Sequence, residues 1–283
     1  MWTTLPEPVG PKPPTAKVTA AGDWRSSEPR KLMCQILALT ITLTACQPPG
    51  DLMSAFGLKP ASPPSSRTYP LHTRIIATTF WVGEVVDPGA ADGSQIRSAY
   101  DSQWMKNYGG CDGVWIDGHC MTEARGPDNG YFPRHMTPRE NPFYLDLPFS
   151  DVHDPIAFAQ RGAVVPWAHD HNYSGRSKDP DFSYMKNRWV KLVTNAAICY
   201  GQIQDAGPSE YHDAQYVFGS DDLRPRSARF NGAGLDVSPA LNGCLGFSEL
   251  NGANDKVSWQ FVDDVDVPPG PWKIIVTTRP FTR

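Results

Sequence analysis

The chain has 283 residues, a formal net charge of −4 and 20% charged residues, a balance that does not argue for nucleic-acid binding, which would call for a basic face. Its length allows one large domain or two small ones. With 28 Pro, 24 Gly, nine Trp and ten Tyr, the composition is that of a loop-rich β protein with aromatic surfaces.

Near the start, Arg30-Lys31 precede the apolar run Leu32–Leu43, which is too short to span a bilayer and leads into Leu43-Thr-Ala-Cys46. This pattern is a signal-peptide core behind a charged region, and its ending looks like a bacterial lipobox, where the cysteine is lipidated and becomes the mature N-terminus. A buried strand or helix with a chance cysteine is the alternative. The Pro/Thr-rich Met1–Glu28 is longer than a leader needs, which a translation start further downstream would explain. Residues 1–45 are thus expected to be a leader region. Residues 46–70, rich in Pro, Ser and Gly, read as a flexible tether, and 71–283 as the folded domain. The expectation is an exported monomer at the cell envelope, touching membrane only through its lipid.

Within the domain, Arg74–Val82 is strongly β-prone and is the first strand. Asp87–Gly93 is a turn cluster. Ser98–Tyr108 is a short helix or irregular segment ended by Gly109-Gly110. Between Cys111 and Cys120 lies a Gly-rich loop that pushes Trp115 and His119 outward. Asn141–Pro148 reads as a strand, Phe149–Asp154 as a loop, Ala157–Arg161 as a short helix and Ala163–Trp167 as another strand. His169 and His171 share a strand face, but no third ligand is placed by sequence, and the polar tip of a hairpin accounts for them. Phe182–Val193 reads as a strand. Val257–Val262 and Trp272–Val276 read as a closing hairpin or edge strands around Val267-Pro-Pro-Gly-Pro271.

Two phrases carry most of the information. Tyr200-Gly-Gln-Ile-Gln-Asp205 alternates as a half-buried strand does and is broken by Ala206-Gly-Pro208, so a strand ends on a carboxylate. Gly234-Leu-Asp-Val-Ser-Pro-Ala-Leu241 sets Asp236 between two inward apolar neighbours, just before a helix capped by Ser238 with Pro239 in its first position. Together the phrases resemble the double-psi β-barrel superfamily, which includes barwin, expansins, rare lipoprotein A and the family-forty-five glycoside hydrolases. In that group a strand ending V-x-D-x-x-P precedes a D-L-S phrase. The likeness is good over about fifty residues and loose from Ala77 to Gly246.

The resemblance implies a mainly β fold, a six-stranded double-psi β-barrel with long loop insertions and short helices. Asp236 matches the general acid of the hydrolases and Asp205 a groove aspartate of expansins and rare lipoprotein A. Thr78, Phe80 and Trp81 match a groove-lining segment, but Val82 stands where the hydrolases carry their general base. Glu84, two residues on, is the candidate replacement. Like charge between Asp205 and Asp236 is expected to raise one of their pKa values. Alternatively, Asp205 and Asp236 simply cap a turn and a helix start.

Trp81, Tyr144, Trp115 and Tyr211 are the candidate sugar-stacking aromatics, with core packing as the competing use of each. No cofactor or metal is implied; the implied partner is a polysaccharide, either cellulose-like or peptidoglycan.

Beyond Cys34 and Cys46, four cysteines remain, and three pairings are open to them. Cys111 with Cys120 and Cys199 with Cys244 is the favoured set; the second bridge closes a loop of roughly forty-five residues, for which chain entropy gives about 4 kcal/mol. A zinc site competes, without the paired C-x-x-C spacing. Three function classes follow: an endoglucanase-like hydrolase acting on β-1,4-linked glycan, a peptidoglycan lytic transglycosylase like rare lipoprotein A, and an expansin-like binding module.

Overall fold

A computed structural model describes residues 67–85 and 95–283. The leader, Cys46, nearly all of the tether and the Asp87–Gly93 turn lie outside the described residues.

Six strands close into a mixed barrel. They are β1 (His72–Thr79), β4 (Tyr144–Leu147), β5 (Trp189–Val193), β6 (Ile198–Ala206), β7 (Leu235–Val237) and β8 (Lys256–Val262), in the closed order β1-β7-β4-β6-β5-β8. The pairs β1–β7 and β4–β6 are parallel and the remaining pairs antiparallel. A short hairpin of β2 (Val114–Ile116) and β3 (His119–Met121) stands apart from the barrel sheet. Among the described residues, four short helices complete the fold: α1 (Trp104–Tyr108), α2 (Pro155–Val164), α3 (Ala214–Phe218) and α4 (Pro239–Leu245).

The alternation of β8 decides its faces, with Val257, Trp259 and Phe261 inside and Lys256, Ser258 and Gln260 outside. β1 follows the same rule after a defect at its start. Its pairing with β8 slips between His72 and Ile75, and Arg74 takes a left-handed φ of 54° there. One extra residue at that point lets both His72 and Ile75 face inward, while Arg74, Ile76 and Thr78 look out. Inside, Trp167, Tyr216, Trp259 and Phe261 are fully buried and meet edge to face.

β6 breaks the one-sided pattern because it is covered twice. Every residue from Cys199 to Ala206 is buried, since α4 packs over its outer side. Gly201 permits the close approach: a Cβ there would lie 2.7 Å from a Leu145 methyl and 2.8 Å from one of Leu241. The start of α4 is set locally, as Pro239 occupies its first turn and the Ser238 hydroxyl accepts the Leu241 N–H at 3.2 Å. Cys199–Cys244 ties β6 to α4, and Cys111–Cys120 closes the β2–β3 hairpin. Both pairings are the favoured ones, and zinc is overturned because all four sulfurs are used in disulfides.

Three expected strands are corrected. Ala163–Trp167 is not a strand: Asp154 caps α2 through the Ile156 and Ala157 N–H groups, both at 2.9 Å, and the helix runs to Val164, ending where Pro166 disfavours helical geometry in the preceding residue. Of Phe182–Val193 only Trp189–Val193 is strand, because Asp151 gathers Ser183 and Tyr184 into a turn. Trp272–Val276 does not form the second arm of a hairpin. Trp272 is drawn into a 3-10 turn, its indole donating to the Pro268 carbonyl, and Val257–Val262 instead closes the barrel between β1 and β5.

Candidate active site: a row of carboxylates

Strand order and register bring four side chains into line. Thr78 on β1 stands opposite Asp236 on β7, Leu145 on β4 stands opposite Val237, and Asp146 stands opposite Asp205 on β6. Read across β1-β7-β4-β6, the row is Thr78, Asp236, Asp146, Asp205. The last step depends on a slip in the β4–β6 pairing: Leu145 faces Ile203, the next residue faces Asp205, and Gln204 is passed over. Without that irregularity Asp146 would meet an amide; with it, two carboxylates meet across parallel strands.

Hydrogen bonds fix the row. The Thr78 hydroxyl donates to Asp236 Oδ1. The Asp236 backbone N–H donates to Asp146 Oδ1 at 2.9 Å. Asp146 Oδ2 leans over Gly207, where a Cβ would come within 2.7 Å of it, so glycine makes the room for this carboxyl. Asp205 Oδ1 accepts the N–H groups of Ala99 at 2.7 Å and Ala206 at 2.8 Å. Glu84 lies in the turn after β1, its Oε2 accepting from the Trp81 N–H at 3.4 Å. Of the two capping roles expected, the structure shows only the first. Asp205 does receive turn N–H groups, whereas the helix after Asp236 is capped by Ser238.

Charge in this row is expensive. Asp146 and Asp205 are buried, and Asp236 and Glu84 are half-buried. Burial and then the Glu84 and Asp205 charges raise the Asp236 carboxyl to about 8. Asp146 is driven well above the carboxylate range by burial, then by Asp236 and Asp205, and only the Asp236 N–H opposes this. Burial lifts Glu84 to about 7 against the single Trp81 N–H. Asp205 rises to about 6, again through burial, moderated by its two N–H donors and the buried Lys186. At neutral pH the row therefore holds protons that isolated carboxyls would have released. A half-buried, protonated Asp236 can give its proton to a bound oxygen, with the neighbouring carboxyls setting its acidity.

Beside the row, a cleft of about 490 Å³ is lined by Asp205, Ser150, His153, Asp154 and Tyr211, among others. Of the residues singled out by sequence, Glu84, Asp205 and Asp236 come together, and Tyr211, with 48% of its surface exposed, stands with Asp205 at the cleft. The others lie elsewhere. Trp81 is buried against the Cys111–Cys120 bridge, its indole donating to the Cys120 carbonyl at 2.9 Å. Tyr144 is fully buried among Phe80, Trp104 and Tyr108, its hydroxyl donating to Asp112 at 2.7 Å. Neither offers a ring face to a sugar. Trp115 is 56% exposed, on the separate β2–β3 hairpin. His169 and His171 are both exposed, and among the described residues no group of three or more His, Cys, Asp or Glu is placed to hold a metal ion.

Sequence reasoning passed over Asp146. The signal was there: Leu145-Asp-Leu147 repeats the pattern of Leu235-Asp-Val237, one carboxylate between two apolar residues in a short strand. No protein-family model, no curated protein and no solved structure matches this chain significantly.

Proposed function

We propose that the barrel cleaves a polysaccharide by general acid catalysis, with Asp236 as proton donor and Glu84 as the base that activates water. One observation carries this reading. Asp236 is a half-buried carboxyl, held by the Thr78 hydroxyl in the row with Asp146 and Asp205 and raised to about 8 by burial and by Glu84 and Asp205, so it keeps its proton at neutral pH. Breaking a glycosidic bond needs such an acid against the leaving oxygen, and a second carboxylate to activate water. Glu84, raised to about 7 by burial, is the carboxyl whose charge acts most strongly on Asp236, which makes it the partner to activate water in this reading. The closed six-stranded mixed barrel is compatible with a double-psi barrel, and the two disulfides with an oxidising, exported setting. Cleavage of a β-1,4-linked glycan by an envelope lipoprotein, lipidated at Cys46, fits all of this.

A second reading is supported by Val82. The position that carries the base in the similar hydrolases is fully buried here. If Glu84 does not replace it, the site has one working acid, as in a lytic transglycosylase where the sugar's own hydroxyl is the nucleophile. Product analysis on cellulose oligomers and on murein sacculi separates the readings: new reducing ends support hydrolysis, anhydro ends the transglycosylase, and intact polymer with retained binding an expansin-like module. In the hydrolase, Glu84→Gln lowers turnover at least about 100-fold; an unchanged rate removes Glu84 as base.

A further inference from the structure

A second cleft opens on the outer wall of the barrel, at the other end of β1 from Asp236. It encloses about 480 Å³ and is lined by Arg74, Arg224, Arg226 and Lys256, with Ser227 and Asn231 as polar neighbours. Four cations around one hollow are notable in a chain of net charge −4.

Two of the four are anchored. The Arg224 guanidinium donates to the Thr73 carbonyl at 2.6 Å and pairs with Asp222, which itself accepts the Thr73 N–H at 2.8 Å. Arg226, itself half-exposed, lies 3.9 Å from both Glu210 and Asp213, whose carboxylates are largely withdrawn from solvent. The other two cations are available, since Arg74 and Lys256 form no ion pair among the described residues. Both are exposed, and their strands place them on a diagonal, as Lys256 pairs with Ile76, two residues on from Arg74.

The backbone adds an independent observation. Arg74 holds a φ of 54°, which a long side chain adopts only at a cost, and it does so at the irregularity where β1 and β8 slip. Bulges of this kind re-aim side chains, and here the arginine is turned to the outer face that also carries Ile76 and Thr78. Thr78 touches Asp236. From Arg74 to Thr78 the strand advances roughly 13 Å, so a polymer lying along the outside of β1 reaches both places at once.

We infer that Arg74, Arg224, Arg226 and Lys256 form a subsite for an acidic group on the glycan, making the preferred substrate an anionic polysaccharide. The inference rests on the glycan-cleavage reading for the path along β1. The recognised chemistry is an oxyanion, which a uronate carboxylate or a sulfate ester supplies equally well to arginine and lysine.

The test is calorimetric titration of the full chain with three oligosaccharides of equal length: a mannuronate oligomer, a sulfated cello-oligosaccharide and the neutral cello-oligosaccharide. At low salt at least one charged oligomer binds about tenfold more tightly than the neutral one, two exposed cations each contributing a modest attraction. The tighter of the two identifies the acidic group. High salt closes the gap. In Arg74→Gln/Lys256→Gln, whose changes are at exposed positions, the preference falls to within about twofold while neutral binding and thermal stability are unchanged.

Equal binding of all three oligomers, or a preference that survives the double substitution, overturns the subsite. Should the double variant be destabilised, Lys256→Glu alone provides the check, reducing binding of the charged oligomer and sparing the neutral one. Binding is read without turnover, so the two proposals fail separately. Charge-selective binding with no cleavage defeats only the catalytic reading, and cleavage of neutral glycan without charge selectivity defeats only this one.

Discussion

Two sets of carboxylates withdrawn from solvent in this protein are treated in opposite ways. Asp112 and Asp151 each have an arginine. Arg125 lies 2.8 Å from Asp112, which also receives the Tyr144 hydroxyl. Arg161 lies 3.6 Å from Asp151, which takes hydrogen bonds from the Ser183 hydroxyl at 2.7 Å and the Tyr184 N–H at 2.6 Å. Asp146 and Asp236, just as firmly positioned, face other carboxyls and no arginine. A buried charge with its counter-ion and donors is a structural joint; a set of like charges without one is held at a cost that folding alone does not require. Geometry separates the pairs more clearly than acidity does, since burial also pushes Asp151 up, to about 6.

Substitutions test that contrast directly. The largest effect is expected at Asp236. Asp236→Asn keeps the Thr78 hydrogen bond and removes the proton, so turnover falls on the order of 10² to 10⁴ while glycan binding and folding survive. Kinetics with a glycan binding control measure it, and a cleavage rate left intact would place Asp236 with the structural joints.

Next is Arg161→Met, which leaves Asp151 buried without its cation and strips the carbonyls of Ser177, Phe182 and Asp179 of their donor. A loss of about 3–5 kcal/mol in urea unfolding is expected, with no direct effect on the acid.

A smaller effect concerns pH. Folded values of about 8 for Asp236, about 7 for Glu84 and about 6 for Asp205 lie above those of an unfolded chain, so the native state binds more protons. The stability these groups contribute is complete below about pH 4 and is lost as pH rises through the folded values, at about 1.4 kcal/mol per pH unit for each extra proton bound. Denaturation at pH 5 and at pH 8 should show the fall, and Asp146→Asn or Asp236→Asn should flatten it.

The smallest change is expected for Asp205→Asn. Removing a like charge lowers the pKa of the donor, so the alkaline limb of the rate profile moves to lower pH by less than about one pH unit.

What was legible in the sequence followed from local chemistry. The Ser238–Pro239 helix start, the alternation of Lys256–Val262 and the strand ending at Asp205 are each written in neighbouring residues. The barrel was reached through the two phrases around Asp205 and Asp236, whose carboxylates stand in one row with Asp146 between them. Asp146 was missed because β4 is buried along its whole length and shows no alternation, and because its role comes from a register slip against a strand some sixty positions away. Trp81 and Tyr144, for which groove and core were both open, could not be decided for a related reason. An aromatic in a strand is apolar whichever side it faces, and only the packing around Cys120 and Asp112 decides that these two point inward. The apolar Ala163–Trp167 misled because a short run of this kind suits a buried helix end as well as a strand.

The row also has a history within each molecule. Glu84, Asp146, Asp205 and Asp236 come from separate segments of the chain, and they meet only when β7 has inserted between β1 and β4 and β6 has paired with β4. Contacts of such long sequence separation form late and slowly. Until they do, every one of these carboxyls titrates near its ordinary value and no proton is held for transfer at neutral pH. A proton held at neutral pH is thus withheld from a nascent or half-folded chain, and the rise of a carboxyl's pKa far above its ordinary value marks barrel closure.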